Sequence, residues 1–361
     1  MVRVAPIDIG TVSVRLAVAD VEGGRVLRCA KQSRICDLGE GLSETGVLSD
    51  AACARVLAAV DDYLACARAA GASAACCTLT SAARDASNSD ALLSGLAARG
   101  LAAEVIPGRV EGALTFLGVA RDFPGERILV ADNGGGSTEL AVGSLAVPGP
   151  DGAPGALALE YVRSVDVGCR RVTERCLPGT GPASPEDLAR AREFCSDRLR
   201  ADVPWLPDGS PRTGAAPGEA PGPDGRGDDP TRGVARPDRL VVVGGTVTSL
   251  VAIDAALDPY DPAYVHLHEL SAEQVEEVAR MLAALDVEGR RHVRGLQPQR
   301  APVMLGGAVA VRELMRATGF GSLVASESDL LFGLAAVAAS AAGDAGGASP
   351  IGWAPRLAAL S

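Results

Sequence analysis

Two short segments of the chain each join an aspartate to a glycine turn and hydroxyl side chains, a combination suited to phosphate. In the first, Asp8 ends a β-forming run, and Gly10, Thr11 and Ser13 follow within five residues. Converging backbone N–H groups in such a turn bind phosphate, and hydroxyls add hydrogen bonds. Asp8 could hold a metal-bound water. An ordinary β-hairpin with an exposed aspartate is the alternative.

The second segment, residues 132–139, carries three consecutive glycines. Glycine is entropically costly in a strand region, so the run is explained best where the backbone must approach a ligand closely. The turn consists of Gly134, Gly135, Gly136, Ser137 and Thr138. Asp132 and Glu139 bracket it, as hard oxygen ligands for Mg²⁺ would. A flexible glycine turn is the simpler alternative, and agreement with the first segment disfavours it.

The two segments form a weak internal repeat, DIGTVSVRLAV at 8–18 and DNGGGSTELAV at 132–142. Each has an aspartate at a strand end, a glycine turn and a second apolar strand. Two copies predict a duplicated fold with a cleft between its halves.

Other candidate residues are less specific. Gly244, Gly245 and Thr246 sit between an apolar strand and a helical stretch, which suits a phosphate at a helix N-terminus. Arg84 lies near hydroxyls and suits bidentate phosphate contact, although pairing with a neighbouring aspartate explains it equally well. Glu111 by position alone is a first-turn helix acid.

His266 and His268 alternate on an extended stretch and would share a face. No nearby cysteine or third histidine completes a metal site, so structural roles are favoured for both.

Alternating strand and helix patterns predict an α/β fold. Helix starts are predicted at Ser49, Ser184 and Ser271, the last within a capping box. The strands are expected at residues 2–9, 14–20, 103–106, 128–132, 139–142, 157–166, 240–243 and 322–325.

Length and composition set the domain organisation. A chain of 361 residues predicts two domains. We expect the first domain over residues 1–124 and the second over 125–342, with a weakly ordered tail at 343–361. Within the second domain, residues 207–237 are rich in Pro and Gly and predict a disordered insertion.

Charge and cysteine usage exclude several classes. A net charge of −11 and only 3% aromatic residues argue against nucleic-acid binding. Nine unpatterned cysteines and the absence of a signal-like or membrane-spanning run lead us to expect a cytoplasmic protein that does not bind membranes.

Together the motifs resemble the exopolyphosphatase / guanosine pentaphosphate phosphatase (Ppx/GppA) family over about residues 3–335. The resemblance is carried by DIGTVSVR, LGEGL, TSAARDASN, PGRVEGALTFLGV, DNGGGSTEL, DVGCRRVTER, VGGTVTSL, YDPAYVH and SESDLLFG in this order. It implies two duplicated actin-like (acetate kinase–sugar kinase–Hsp70–actin), ribonuclease-H-like domains with an interdomain cleft.

The resemblance also implies roles. Glu111 aligns with the general base that activates water, Asp132 and Glu139 with residues that place Mg²⁺, and Arg84 with a residue that contacts substrate phosphate. The substrate would be polyphosphate or guanosine pentaphosphate, and the protein a homodimer. The chain departs from the family pattern at Val12, Asn133, Val110 and Pro302.

The expected reaction is attack of a Glu-activated water on a terminal phosphoryl group. Two alternatives remain open at this point. An ATP-dependent kinase of the same superfamily would need an acceptor pocket and an adenine site. A sensor would bind polyphosphate or an alarmone without hydrolysis, which Val12 and Pro302 favour and Glu111 opposes.

Overall fold

Two mixed β-sheets, each covered by helices, form the molecule. The structure is a computed structural model and describes residues 1–147, 149, 155–205, 209–210, 234–343 and 349–360. The strands are β1 Val2–Ile9, β2 Ser13–Glu22, β3 Arg25–Ile35, β4 Ala74–Leu79, β5 Glu104–Val105, β6 Arg127–Asn133, β7 Thr138–Leu145, β8 Leu157–Val165, β9 Arg239–Val243, β10 Glu269–Ser271, β11 Ser322–Ala325 and β12 Ala358–Ala359.

The two sheets share the topology of five strands and differ in the position of the sixth. The first runs β12-β4-β1-β2-β3, with β5 beside β4, and the second runs β10-β11-β9-β6-β7-β8. In each, a hairpin (β1–β2 or β6–β7) continues into a third antiparallel strand on one side. On its other side, the first hairpin strand pairs in parallel with β4 or β9. The predicted duplication of the two glycine segments is therefore present in the strand order itself.

The predicted helix starts at Ser49, Ser184 and Ser271 are all present, and each serine side chain accepts a backbone N–H as an N-cap. The helices are α1 Leu42–Thr45, α2 Asp50–Ala69, α3 Ser81–Asp85, α4 Ser89–Ala97, α5 Gly108–Ala120, α6 Cys169–Cys176, α7 Pro185–Asp202, α8 Gly245–Asp254, α9 Pro262–Val265, α10 Ala272–Ala283, α11 Val287–Arg291, α12 Ala301–Thr318 and α13 Leu330–Ala341.

Helices α5 and α13 connect the two halves. Helix α5 precedes the expected boundary at residue 124 but packs on β6, β7 and β8 of the second sheet. Helix α13 belongs to the expected second domain but packs on β1, β2 and β3 of the first sheet. Helix α5 thus packs on the sheet that follows it in the chain, and α13 packs on the sheet formed at the other end of the chain. These contacts place α5 on the second sheet and α13 on the first, which is the reverse of the expected division into domains. The domain boundary at residue 124 stays a prediction.

The chain after Gly343, expected to be weakly ordered, contributes to the first sheet. Strand β12 pairs antiparallel with β4, and Trp353 packs against the cluster formed by α13 and the first sheet. Most of the predicted insertion at 207–237 lies outside the described residues. Among the helices that the structure describes, none combines the length and the apolar character needed to cross a bilayer.

The crossing of α5 and α13 depends on two glycines. A Cβ atom at Gly118 would lie 2.2 Å from the Asp329 carbonyl oxygen, and one at Gly333 would lie 1.9 Å from the Leu114 carbonyl oxygen. Neither contact can be relieved by moving a side chain, because backbone atoms of the facing segment are involved. The two helices must therefore separate to admit even a methyl group.

We predict that Gly333→Ala destabilises the protein. Overpacking costs about 1–3 kcal/mol, occasionally more, which outweighs the gain of about 1 kcal/mol from alanine's higher helix propensity. Gly321→Ala is the matched control, because a Cβ atom added there would have no other atom within 4 Å, and its effect should stay within about 0.5 kcal/mol. Urea unfolding measures both. Wild-type stability in Gly333→Ala would contradict the packing described.

Candidate active site

A cavity of about 750 Å³ lies between the two sheets and is lined by both predicted glycine turns. The turns have the same local structure: the Gly10 N–H donates to Ser13 O at 2.9 Å, and the Gly134 N–H donates to Ser137 O at 3.0 Å. Each turn closes a hairpin, so each places its backbone N–H groups at the same end of its sheet. We call this space the catalytic cavity.

The turns approach each other more closely than side chains would allow. A Cβ at Gly135 would lie 2.8 Å from both Thr11 Cβ and Val12 Cγ2. A Cβ at Gly136 would lie 2.3 Å from Ser81 Oγ. The triple glycine is therefore required by the contact between the halves, which rejects the interpretation as a merely flexible turn.

Helix α6 holds the second turn in place. Its first N–H groups, which lack partners within the helix, donate to the carbonyls of the glycine run: Cys169 N to Gly134 O at 3.0 Å, and Arg170 N to Gly135 O at 2.9 Å. With its carbonyls bound from behind, the turn is fixed in orientation toward the cavity.

Glu111 lies in the first turn of α5, is 8% exposed and faces the catalytic cavity. Arg84 Nη1 donates to Glu111 Oε2 at 2.6 Å and to the Ile106 carbonyl at 2.9 Å. Burial, reinforced by the nearby Glu139 carboxylate, raises the pKa of Glu111 well above its ordinary value, and Arg84 opposes that shift. A buried carboxylate with a raised pKa, fixed by an arginine, is suited to accept a proton near neutral pH.

Asp8 has a partner of its own. Arg15, directly across the β1–β2 ladder, donates to Asp8 Oδ2 from Nη2 at 2.7 Å, and from Nη1 to Asp329 Oδ2 at 3.1 Å. The hydroxyl of Thr78 also donates to Asp8. The structure thus gives the Asp8 carboxylate protein partners, and its role toward a metal-bound water stays a prediction.

Asp132 and Glu139 face each other across the β6–β7 ladder. Asp132 accepts from Thr115 at 3.1 Å, and Glu139 accepts from Ser137 and Ser164 at 2.8 and 2.7 Å. Burial raises the pKa of Asp132 to about 6 and also raises that of Glu139.

These two carboxylates have the oxygen donors that Mg²⁺ prefers. The nearest cation to Glu139 is Arg84, whose Nη2 lies 3.6 Å from Oε1, so buried negative charge is left for a metal to balance. The described part of the chain holds no cluster of three or more His, Cys, Asp or Glu side chains arranged for a metal. That is compatible with Mg²⁺, which usually keeps several waters and binds through one or two carboxylates together with substrate phosphates.

The third glycine segment closes the cavity from the second half. Gly244 has φ of 101°, and a Cβ there would lie 2.8 Å from the Asn133 carbonyl oxygen, beside the triple glycine. Gly245 begins α8, and a Cβ there would lie 2.2 Å from the guanidinium of Arg300. Arg300 lines the cavity, and burial lowers its pKa. No carboxylate among the described residues pairs with it, so an anion would satisfy its charge.

Most predicted site residues line the catalytic cavity: Asp8, Gly10, Thr11, Ser13, Glu111, Asp132, Gly134, Gly135, Gly136, Ser137, Gly244, Gly245 and Thr246. Three do not. Arg84 lies behind Glu111, the Thr138 hydroxyl donates to the Val167 carbonyl, and Glu139 lies beneath the second turn.

Sequence reasoning missed three cations of the cavity wall. Arg15, Lys31 and Arg300 come from β2, β3 and the segment before α12. Only Arg15 had a usable signal, because it follows the first turn where Glu139 follows the second. Lys31 donates to Glu327 at 3.0 Å, a contact 296 residues away in the chain that no local pattern encodes.

The remaining sequence observations find structural explanations. His266 lines the cavity, and its Nδ1 accepts the Glu327 N–H at 3.2 Å, while His268 stacks on Tyr264. Val12 is 5% exposed and packs with Cys169. Pro302 stands in the first turn of α12, where proline is favourable.

Two glycine turns opposed across a cleft, with a buried and fixed carboxylate beside them, define an enzyme that acts on phosphate groups. The model of the Ppx/GppA phosphatase family matches residues 17–206, more than half of the chain. The chain belongs to this family and is a phosphoric anhydride hydrolase.

Individual relatives agree. Exopolyphosphatase 2 of Mycobacterium tuberculosis is 32% identical over 351 residues, covering 93% of this chain and 98% of the relative. The crystal structure of the Aquifex aeolicus Ppx/GppA family member superposes with a TM-score of 0.69 at 26% identity, covering 93% of this chain and 96% of that one. An exopolyphosphatase from Cytophaga hutchinsonii, 20% identical, has the same fold at a TM-score of 0.71 over 92% and 96% of the two chains. The predicted actin-like, duplicated α/β fold is confirmed.

The raised pKa of Asp132 predicts the pH dependence of stability without metal. An acid whose pKa is about 6 when folded and 3.8 ordinarily binds more proton in the folded state, so stability falls as pH rises between these values. In chelator, Asp132→Asn should be more stable than wild type at pH 8, by about 1–3 kcal/mol, and the difference should shrink toward pH 4.

Urea unfolding from pH 4 to pH 8 measures this dependence. Asp197→Asn, on the exposed side of α7, is the control and should follow the wild-type profile. A profile for Asp132→Asn parallel to wild type would show that Asp132 is not the buried, charge-strained group described.

Proposed function

We propose that this phosphohydrolase removes the terminal phosphate from inorganic polyphosphate by attack of a water activated by Glu111. The observation that carries the proposal is the placement of Glu111, buried and held by Arg84, beside two opposed glycine turns in one cavity. The 32% identity to a protein named exopolyphosphatase 2 supports polyphosphate as the substrate class. Guanosine pentaphosphate, the other substrate expected from the family, is the alternative.

The turns bind the phosphate to be removed. Backbone N–H groups of the turns and the hydroxyls of Thr11, Ser13 and Ser137 face the cavity. Phosphoryl transfer depends mainly on positioning and charge stabilisation, so a rigid cradle of donors is the main catalytic requirement. The rigidity comes from α6 and from the contact between the turns.

Glu111 takes the proton. Arg84 fixes its orientation through Oε2 at 2.6 Å, leaving Oε1 to accept from a water. The pKa of Glu111 is raised by burial, so its basic form, and with it kcat, should increase with pH through that raised value. Arg84 thus acts as a positioning residue in this account rather than as the direct phosphate ligand expected from sequence.

The net negative charge of the cavity wall supports a requirement for a divalent cation in the reaction. Five carboxylates line it against three side-chain cations: Asp8, Glu111, Asp132, Glu327 and Asp329 against Arg15, Lys31 and Arg300. A polyanion entering this wall would meet net negative charge. Mg²⁺ held by Asp132, with Glu139 beneath, would supply the missing positive charge and neutralise the transferred phosphate.

Phosphate release from polyphosphate and from guanosine pentaphosphate, with Mg²⁺ and with chelator, tests the proposal. We expect faster release from polyphosphate and loss of release in chelator. Tight binding of polyphosphate without release at any Mg²⁺ concentration would favour the sensor. ADP formation only with a second substrate would favour the kinase.

Glu111→Gln separates catalysis from structure. The amide keeps the shape of the side chain but cannot accept a proton, and general-base catalysis contributes about 10²–10⁴-fold. We expect kcat to fall by that factor, with KM and melting temperature nearly unchanged. A structural first-turn acid would instead lose about 0.3–1 kcal/mol of stability with normal turnover. Near-wild-type kcat would reject the mechanism.

Arg300→Ala tests whether Arg300, which has no carboxylate partner among the described residues, binds the substrate. If Arg300 binds a substrate phosphate, loss of a charged hydrogen bond should raise KM about 10- to 100-fold and affect kcat less. Arg280→Ala, exposed in the last turn of α10 and outside the cavity lining, should leave KM unchanged. Equal KM values for wild type and Arg300→Ala would place the substrate elsewhere.

A further inference from the structure

A second cavity lies behind the first glycine turn. It has a volume of about 170 Å³, and its lining includes Thr11, Ser81 and Gly136, which also line the catalytic cavity. Three buried residues thus separate the two spaces. We call the second space the rear cavity. Its volume matches that of about five or six waters, enough for one small ion with part of its hydration but not for a chain.

The lining of the rear cavity is basic, although the protein as a whole is acidic. Arg170, Arg171 and Arg175 line it, against one carboxylate, Asp85. All three arginines come from the two turns of α6, so their side chains converge from one short helix. Arg170 and Arg171 are both in ion pairs with carboxylates, so Arg175 carries the unbalanced charge of the lining, and an anion is the ligand that suits its guanidinium.

Two of the arginines are fixed and the third is available. Arg171 Nε donates to the Gly136 carbonyl at 2.6 Å, and Nη2 pairs with Asp85 and lies 3.5 Å from Asp166. Arg170 pairs with Asp37 and lies 3.8 Å from Glu174, and its enclosed Nε has no hydrogen-bond partner among the described residues. Arg175 is exposed at the rim and forms no ion pair with any residue that the structure describes.

The wall between the cavities adds polar groups. Thr11 is 5% exposed and Ser81 3% exposed. Neither hydroxyl has a hydrogen-bond partner within the described part of the chain, and both oxygens face open space in the cavities rather than enclosed protein. A Cβ at Gly136 would lie 2.3 Å from Ser81 Oγ and 3.1 Å from Thr11 Oγ1, so the hydroxyls meet at the wall. They can serve an anion on either side of it.

We propose that the rear cavity binds inorganic orthophosphate while the catalytic cavity is occupied. Arg175 supplies the charge, and the hydroxyls of the wall supply further donors. Ser43, Asp85 and Arg175 at the rim are exposed, so phosphate can enter from solution. This inference rests on the proposed function only in that orthophosphate is the product of the reaction.

Binding in the rear cavity has a kinetic consequence. Phosphate bound only in the catalytic cavity would compete with polyphosphate. Phosphate in the rear cavity would be bound together with polyphosphate, and it would slow turnover without competing by constraining the wall residues Thr11, Ser81 and Gly136 that both cavities share. We therefore expect a noncompetitive component in product inhibition by orthophosphate.

The test is a calorimetric titration with orthophosphate in the presence of saturating imido-linked tripolyphosphate, which fills the catalytic cavity without being hydrolysed. Wild type should bind one phosphate per chain, and Arg175→Glu should weaken this binding at least about tenfold. Arg68→Glu is the matched control, since Arg68 also lies exposed in the last turn of a helix and lines neither cavity.

Absence of phosphate binding to wild type under these conditions, or equal affinity in Arg175→Glu and Arg68→Glu, would overturn the proposal. In the kinetic assay, Arg175→Glu should retain the wild-type kcat and lose the noncompetitive component of inhibition by orthophosphate. Persistence of that component in Arg175→Glu would also overturn the proposal. If polyphosphate were not the substrate, the analogue would fail to bind while the dependence on Arg175 would still be measured. Failure of the proposed function is therefore distinguishable from failure of this inference.

Discussion

The architecture depends on one contact, the approach of the two glycine turns to within van der Waals distance of each other. Gly135 and Gly136 lie against Thr11, Val12 and Ser81 with no room for a Cβ atom. Because each turn closes a hairpin of its own sheet, this contact sets the distance between the two sheets and thereby the shape of the catalytic cavity. Helix α6 then fixes the second turn from behind through backbone hydrogen bonds. Glycine is required here by the assembly of the halves as well as by ligand approach.

The duplicated halves have diverged in charge at equivalent positions. In the first hairpin Asp8 is opposite Arg15, and in the second Asp132 is opposite Glu139. The first pair neutralises itself, whereas the second places two carboxylates together, and burial raises the pKa of both. The first half thus holds its buried aspartate in an ion pair. The second half brings together two buried carboxylates whose negative charge is not balanced. This asymmetry distinguishes the two halves of a duplicated fold, and it supports the proposal that Mg²⁺ binds in the second half.

The sequence predicted the parts of this account that depend on local patterns, and the rest depends on distant contacts. Strand–glycine–strand repeats indicated both hairpins, and serine caps indicated three helix starts. Strand β4, with the sequence AACCTL, escaped prediction because alanine has low β propensity, and full burial determines its structure. The exchange of α5 and α13 between sheets has no local signal. Arg300 reaches the site through a contact with Gly245, and Arg84 pairs with Glu111, 27 residues away. Neither contact has a local signal in the sequence.

In the proposed mechanism the terminal phosphate lies between the two glycine turns within reach of Glu111. A crystal structure of Glu111→Gln with tripolyphosphate and Mg²⁺ would show its position. We expect one terminal phosphoryl group bound by N–H groups of both turns, at about 2.7–3.2 Å, with a water between its phosphorus and the residue 111 side chain. A tripolyphosphate whose terminal phosphate lies near Tyr260 of the cavity wall, out of contact with both turns, would contradict this mechanism.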